Sequence, residues 1–243
     1  MTKLLTKLNS NKEDQFRLGL LRKLFMFVVR MAALPVCWTY FRLLNKIKII
    51  GEENLPVDQK MLVCANHQSW VDTVIMPYSS AKRMTLRPYM IPAKEGLFSI
   101  PVLGFLIRYL GAFPVKRGRS DTKTISKLIY FCKQLFVIAF PEGTRSKTGK
   151  LLRGKSTVGS IIYSAKPCVI PALLINTEHY PFGYEKKWFN INYCVVYGQA
   201  LELSKFYAME PNKETFQLIS NEIMLAIGNL KQEHINLYIT KQS

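Results

Sequence analysis

Acidic side chains are scarce in this sequence. Sixteen Asp and Glu stand against 34 Lys and Arg in 243 residues, a net charge of +18 at pH 7. A surplus of that size asks for a polyanionic partner, either nucleic acid or an anionic membrane face. Cysteine is sparse as well. Five residues (Cys37, Cys64, Cys132, Cys168, Cys194) make an odd number with no C-x-x-C spacing, which excludes a disulfide framework. With three histidines beside them, they argue against a zinc site, so no metal is expected. Most lie in apolar runs such as MLVCAN and KPCVIPA, and read as reduced thiols buried as small hydrophobes. Internal repeats and low-complexity stretches are missing, and 49% hydrophobic residues is far too many for a disordered chain. No zinc-finger, RNP-like or basic-zipper pattern supports a nucleic-acid partner, so none is expected. No G-x-S-x-G marks a nucleophile elbow.

Acid is scarcest at the start. Residues 1–50 hold ten Lys and Arg against Glu13 and Asp14, threaded through Leu, Phe, Met, Val and Trp. The longest uncharged piece, Met31 to Phe41, falls short of the ~18–20 residues that a bilayer span requires, and no small-residue cleavage site follows it. At helical spacing Lys23, Met26 and Arg30 share one line, while Leu20, Leu24, Phe27 and Met31 line another. A basic flank beside a broad apolar face suits a helix lying in the membrane interface. The expectation is an amphipathic membrane-docking segment over residues 1–46, divided into two helices at Pro35, with an α/β domain over 47–243.

From there the chain alternates. Short β-rich runs fall at 47–50, 61–65, 88–91, 112–115, 135–140, 168–175 and 191–197, with helical stretches between several of them. This predicts a mixed, largely parallel sheet flanked by helices. A helix led by Pro211 closes the chain, with Phe216, Ile219, Ile223 and Ile227 at helical spacing. The apolar run 97–107, broken by Pro101 and Gly104, reads as core in preference to a wall for an acyl chain.

Three strand ends carry chemistry. After MLVCA comes Asn66-His67-Gln68-Ser69-Trp70-Val71-Asp72. Ligands meet catalytic groups at the carboxyl ends of strands in open α/β sheets, so His67 stands where a general base would stand. A carboxylate at Asp72 that bonds one imidazole nitrogen leaves the other free to take a proton. The nucleophile would then come from the substrate, for instance a hydroxyl. The run 135–140 ends in Phe140-Pro141-Glu142-Gly143-Thr144-Arg145-Ser146, a tight turn that presents Glu142 and Arg145 in fixed directions. Gly111-Ala112-Phe113-Pro114-Val115-Lys116-Arg117 ends in two cations. Arginine forks match phosphate oxygens bidentately, so cations clustered at neighbouring strand ends describe an anionic substrate held beside a base. Gly149 to Ser156 spells G-x-x-x-x-G-K-S, the P-loop pattern, but it follows the PEGTRS turn instead of leaving a strand, and its variable positions are bulky. It reads as a basic loop entering a helix at 157–165, with Lys155 in reach of a phosphate.

These blocks together resemble the glycerolipid acyltransferases, specifically the bacterial lysophosphatidic acid acyltransferase (1-acylglycerol-3-phosphate acyltransferase) branch. NHQSWVD is similar to the family's His-x-x-x-x-Asp block, GAFPVKR to its second, FPEGTRS to its third, and VIPA (169–172) to its fourth. The apolar basic N-terminus resembles the family's membrane-docking helices. One departure is that the Phe-Lys-Lys-Gly-like run common after FPEGTRS reads Leu152-Arg153-Gly154-Lys155 here. The resemblance implies acyl transfer from a thioester, acyl-CoA or acyl carrier protein, to the free hydroxyl of lysophosphatidic acid, giving phosphatidic acid for phospholipid biosynthesis without a resident cofactor. It makes His67 the base and Asp72 its orienting partner. By the same pattern Arg117 and Arg145 hold the acceptor phosphate, with Lys116 and Lys94 in support, and Gly111, Glu142, Gly143 and Thr144 shape the acceptor site. The implied location is the cytoplasmic face of the cell membrane, peripheral or monotopic. Two alternatives are an acyltransferase for another lysophospholipid and an inactive lipid-binding protein.

Overall fold

The computed structural model describes residues 19–84, 89–116, 122–179 and 188–239. The β-rich runs become strands β1 Lys46–Ile50, β2 Met61–Ala65, β3 Tyr89–Lys94, β4 Ala112–Val115, β5 Phe136–Ala139, β6 Cys168–Ile175 and β7 Asn192–Tyr197. They form one seven-stranded sheet in the order β1-β7-β6-β2-β5-β3-β4. Every neighbouring pair is parallel except β6 with β7, which is antiparallel. The mixed, largely parallel sheet expected from the sequence is therefore observed. Strand β3 begins at Tyr89 and runs on to Lys94, beyond the expected end at residue 91; Pro88 lies outside the described residues.

The principal helices are α1 Leu20–Trp38, α2 Asp72–Met84, α3 Pro101–Tyr109, α4 Thr122–Gln134, α5 Ser156–Ala165 and α6 Lys213–Glu233. Both faces of the sheet are covered, as a parallel sheet requires. Central strand β2 is buried along its whole length, and its side chains alternate. Leu62 and Cys64 join Phe131, Ile162, Ile219, Ile223 and Ile227 beneath α4, α5 and α6. Met61, Val63 and Ala65 join Val71 and, from α2, Ile75 and Met76 on the opposite face. The closing helix α6 is capped by Asn212, whose side chain accepts from the Thr215 N–H at 2.9 Å, an N-cap bond of the ordinary kind. Burial pushes the thiols of Cys132 and Cys194 up to about 12 and about 11.

Two expectations are corrected. Pro35 does not divide the N-terminal helix, which runs through it to Trp38. A proline there removes only the bond to the Met31 carbonyl, within the last turn of α1, where the loss is small. The Thr39 N–H is then shared between the Pro35 and Val36 carbonyls, and the chain widens into a π-helical turn, Thr39–Leu44, that buries Phe41. The run 97–107 is not core. It splits at Pro101, the first residue of α3, and within that helix only Gly104 is buried. Helix α1 is joined to the rest of the fold: Met26 is fully buried, and Arg30 donates to the Tyr89 carbonyl at 2.9 Å while its guanidinium lies 3.8 Å above the Tyr89 ring.

Candidate active site

Strands β2, β5, β3 and β4 run in one direction, so their carboxyl ends share one edge of the sheet. That edge gathers the blocks read from the sequence. Beyond β2, the Asn66 side chain pairs with both backbone groups of Leu174, accepting from its N–H at 2.7 Å and donating to its carbonyl at 3.0 Å. This anchors the turn that follows. His67 Nδ1 lies 2.7 Å from Asp72 Oδ2, and the same oxygen accepts from the Gln68 and Ser69 N–H groups at 2.6 and 2.8 Å. An oxygen already accepting two backbone donors acts as an acceptor toward the imidazole too. Nδ1 therefore carries the proton and Nε2 presents its lone pair. Asp72 is the first residue of α2 and fully buried, a rigid origin for this contact. The other side of the imidazole is fixed by Phe140, whose ring stacks on it at 4.1 Å between centroids.

The PEGTRS turn follows β5. The Ser146 N–H donates to the His67 carbonyl at 2.7 Å and the Gly143 N–H to the Phe140 carbonyl at 2.9 Å. Gly143 has φ +66°, and a Cβ there would meet the Lys155 side chain at 3.0 Å, so only glycine fits without strain. Glu142 is buried. Its Oε1 accepts from the His67 N–H at 3.1 Å and its Oε2 from the Leu152 N–H at 3.3 Å. Burial pushes its carboxyl up to about 7, opposed by those two backbone bonds and assisted by the nearby Asp72. Both bonds are to backbone, tying the segment that carries His67 to the loop at Leu152.

His67, Lys94, Lys116, Gly143, Thr144 and Arg145 line one cavity of about 680 Å³. Gly111 and Glu142 do not line it. Gly111, at φ +101°, sits where a Cβ would strike both the Arg30 guanidinium and the Tyr89 carbonyl. Arg117 lies outside the described residues. The cavity holds four cations, Lys94, Lys116, Arg145 and Lys155, and no carboxylate among its described lining residues. Lys155, suggested by its place in the P-loop-like run, precedes α5, whose first turn contributes Thr157 and Val158. A helix N-terminus adds partial positive charge to the same space. Two contributors escaped sequence reading. Phe140 packs His67, and Trp70 carries the Arg145 guanidinium 5.2 Å from its ring centroid.

A second cavity of about 620 Å³ opens from the first. Trp70, Thr73, Ala93 and Leu97 line both. Its remaining walls are nearly all apolar, with Met31 and Leu34 from α1, Val74 and Tyr78 from α2, and Leu103 and Ile107 from α3. Chemically, the edge combines a histidine oriented by a buried carboxylate, a cationic chamber and an adjoining apolar slot.

Known proteins are similar to this chain in sequence and in fold. The acyltransferase family model matches residues 46–175. A chloroplastic 1-acyl-sn-glycerol-3-phosphate acyltransferase of Arabidopsis thaliana is 31% identical over 163 residues, 64% of this chain and 42% of that protein. A 1-acyl-sn-glycerol-3-phosphate acyltransferase of Bacillus subtilis is 30% identical over 130 residues, 52% of this chain and 61% of that protein. The chain thus spans about half the length of these curated relatives. The crystal structure of the 1-acyl-sn-glycerophosphate acyltransferase PlsC from Thermotoga maritima superposes with a TM-score of 0.60 at 22% identity, covering 87% of this chain and 95% of that one. That likeness shows a common fold. The family model covers more than half of the chain, from β1 through β6, including His67, Asp72 and the PEGTRS turn, and so this protein belongs to the acyltransferase family.

Proposed function

We propose that this protein transfers an acyl chain from a thioester, acyl-CoA or acyl carrier protein, to the free hydroxyl of lysophosphatidic acid, giving phosphatidic acid. The observation that carries the reading is the His67–Asp72 pair, whose imidazole lines a cationic chamber that adjoins an apolar slot. The acceptor hydroxyl gives its proton to His67 Nε2, and its oxygen attacks the thioester carbonyl. The tetrahedral intermediate collapses, the carbon–sulfur bond breaks, and the leaving thiolate takes the proton back from the imidazolium. His67 therefore ends as it began and no acyl-enzyme forms. Arg145, Lys116, Lys94 and Lys155 are placed to bind the acceptor phosphate, and Arg117 joins them by the family's pattern. The apolar slot suits the acyl chain, a role for Leu97, Leu103 and Ile107 as wall.

The relatives' names support the choice of acceptor. The basic and apolar N-terminal segment supports a site at the cytoplasmic face of the membrane, where anionic lipid attracts each nearby Lys or Arg by about 1 kcal/mol. Purified protein given an acyl-CoA and lysophosphatidic acid is expected to release free thiol and form phosphatidic acid. His67→Ala should lose at least about a hundredfold of that rate, the scale of general base catalysis. Equal rates from the two proteins would remove His67 from the chemistry. Product from neither, with carrier protein and other lysolipids also tried, would leave an inactive lipid-binding protein.

A further inference from the structure

Helix α3 is apolar on more than one side. Its sequence, PVLGFLIRY, holds one charge, Arg108. Leu103 and Ile107 turn toward the apolar slot, yet Val102 is 81% and Phe105 55% exposed, with Ile100 and Leu106 exposed beside them. In a water-soluble protein a helix that is apolar all round is normally buried. This one is not, and it is not alone. Phe25 of α1 meets Tyr109 edge-on at 4.6 Å and Phe105 at 6.3 Å. Through that seam the exposed outer face of α1, which includes Leu21, Leu24 and Val28, continues onto α3.

We propose that α3 is a second membrane-entering element, so that α1 and α3 together form one surface sunk into the hydrocarbon of an anionic bilayer leaflet. The observations favour lipid over protein as the occupant. Neither helix contains an acidic residue, and their only charges are Arg22, Lys23, Arg30 and Arg108, as an anionic interface requires. By length and composition the segment Lys23–Leu44 is apolar enough to cross a membrane, and only 11% of its 18-residue apolar window is buried. The same two helices also wall the apolar slot, Met31 and Leu34 from one side and Leu103 and Ile107 from the other. Sinking them together sets the slot at the depth where acyl chains already lie. Substrate tails then reach it without crossing water. The functional meaning rests on the acyl-transfer reading; the surface itself is tested without it.

The test uses the full chain. Val102 and Phe105 do not line either cavity, so V102E/F105E leaves the site's lining unchanged. Vesicles containing phosphatidylglycerol should retain the double variant at least about tenfold less well than wild type, as expected for placing two charges on an embedded face. Its activity on vesicle-borne substrate should fall in parallel, while activity in detergent mixed micelles stays within about twofold. Val102→Trp, made separately, should show added emission that bromine-labelled phospholipids quench. Unchanged vesicle retention in the double variant, or unquenched Val102→Trp emission on bound protein, would overturn the proposal. A detergent-free dimer that V102E/F105E splits would likewise overturn it, by assigning the face to a second copy of the chain. If wild type makes no product at all, the acyl-transfer reading fails, but retention and quenching still decide this one.

Discussion

Trp70 sits where the cationic chamber meets the apolar slot and lines both. Its carbonyl accepts from the Thr73 N–H at 3.2 Å and the Thr73 hydroxyl at 2.8 Å, which holds the residue at the entry to α2. The Arg145 guanidinium over its ring gives that position a second purpose. A cation over an indole gains roughly 0.5–2 kcal/mol, and the side chain so held has fewer rotamers to lose when it meets a phosphate. Under the proposed function, in which Arg145 binds the acceptor phosphate, Trp70 is a positioning residue for the acceptor. Trp70→Leu should raise the KM for lysophosphatidic acid by about threefold to thirtyfold, the equivalent of that energy, with the KM for thioester little changed. Trp70→Phe keeps a π face and should recover most of the loss. Measured KM values that rise alike for both substrates, with Phe no better than Leu, would reduce the ring to a wall.

At the scale of elements, the strands and the closing helix were legible because each is a short apolar run with one periodicity. Clustered Val, Ile and Leu in the strands and isoleucines every four residues in the closing helix are signals carried within the segment itself. The site was legible at the same scale, since His67 and Asp72 fall five apart across a strand end and meet in the structure. Contacts made by tertiary placement were not. Phe140 against His67 and Trp70 under Arg145 join residues tens of positions apart. Helix α3 misled for another reason, because apolar composition on several faces describes a core helix and a lipid-facing one equally. Its true setting depends on Gly104. A Cβ there would meet the Phe98 carbonyl oxygen at 2.4 Å, so α3 leans on the Glu95–Ser99 turn only because that side chain is missing. Gly104→Ala should cost about 1–3 kcal/mol through such overpacking, read as a melting point lowered by about 2–12 °C at roughly 2–4 °C per kcal/mol. Displacing α3 also displaces the wall at Leu103 and Ile107, so preference among acyl-chain lengths should change in the same variant. An unaltered melting point would mean that the turn yields to the methyl group.

For the whole molecule, charge and greasiness have to be separated, because both draw the protein toward a bilayer and they respond differently to salt. The surplus of +18 acts through water and fades beyond the Debye length, about 10 Å at 0.1 M salt and roughly half that at 0.5 M. Apolar side chains on α1 and α3 act by leaving water, which salt does not weaken. Binding to phosphatidylglycerol-containing vesicles should therefore fall by at least about fivefold between these two ionic strengths, since screening even two lysines near the surface removes about 1–2 kcal/mol. It should then level off at a residue that neutral phosphatidylcholine vesicles reproduce. V102S/F105S, which adds no charge, should lower that plateau and leave the salt-sensitive part nearly unchanged, whereas Lys23→Ala should do the reverse. Cosedimentation across a salt series measures both parts in one titration. A curve falling to zero at high salt would make attachment purely electrostatic and leave the exposed faces of both helices without a bilayer to cover them.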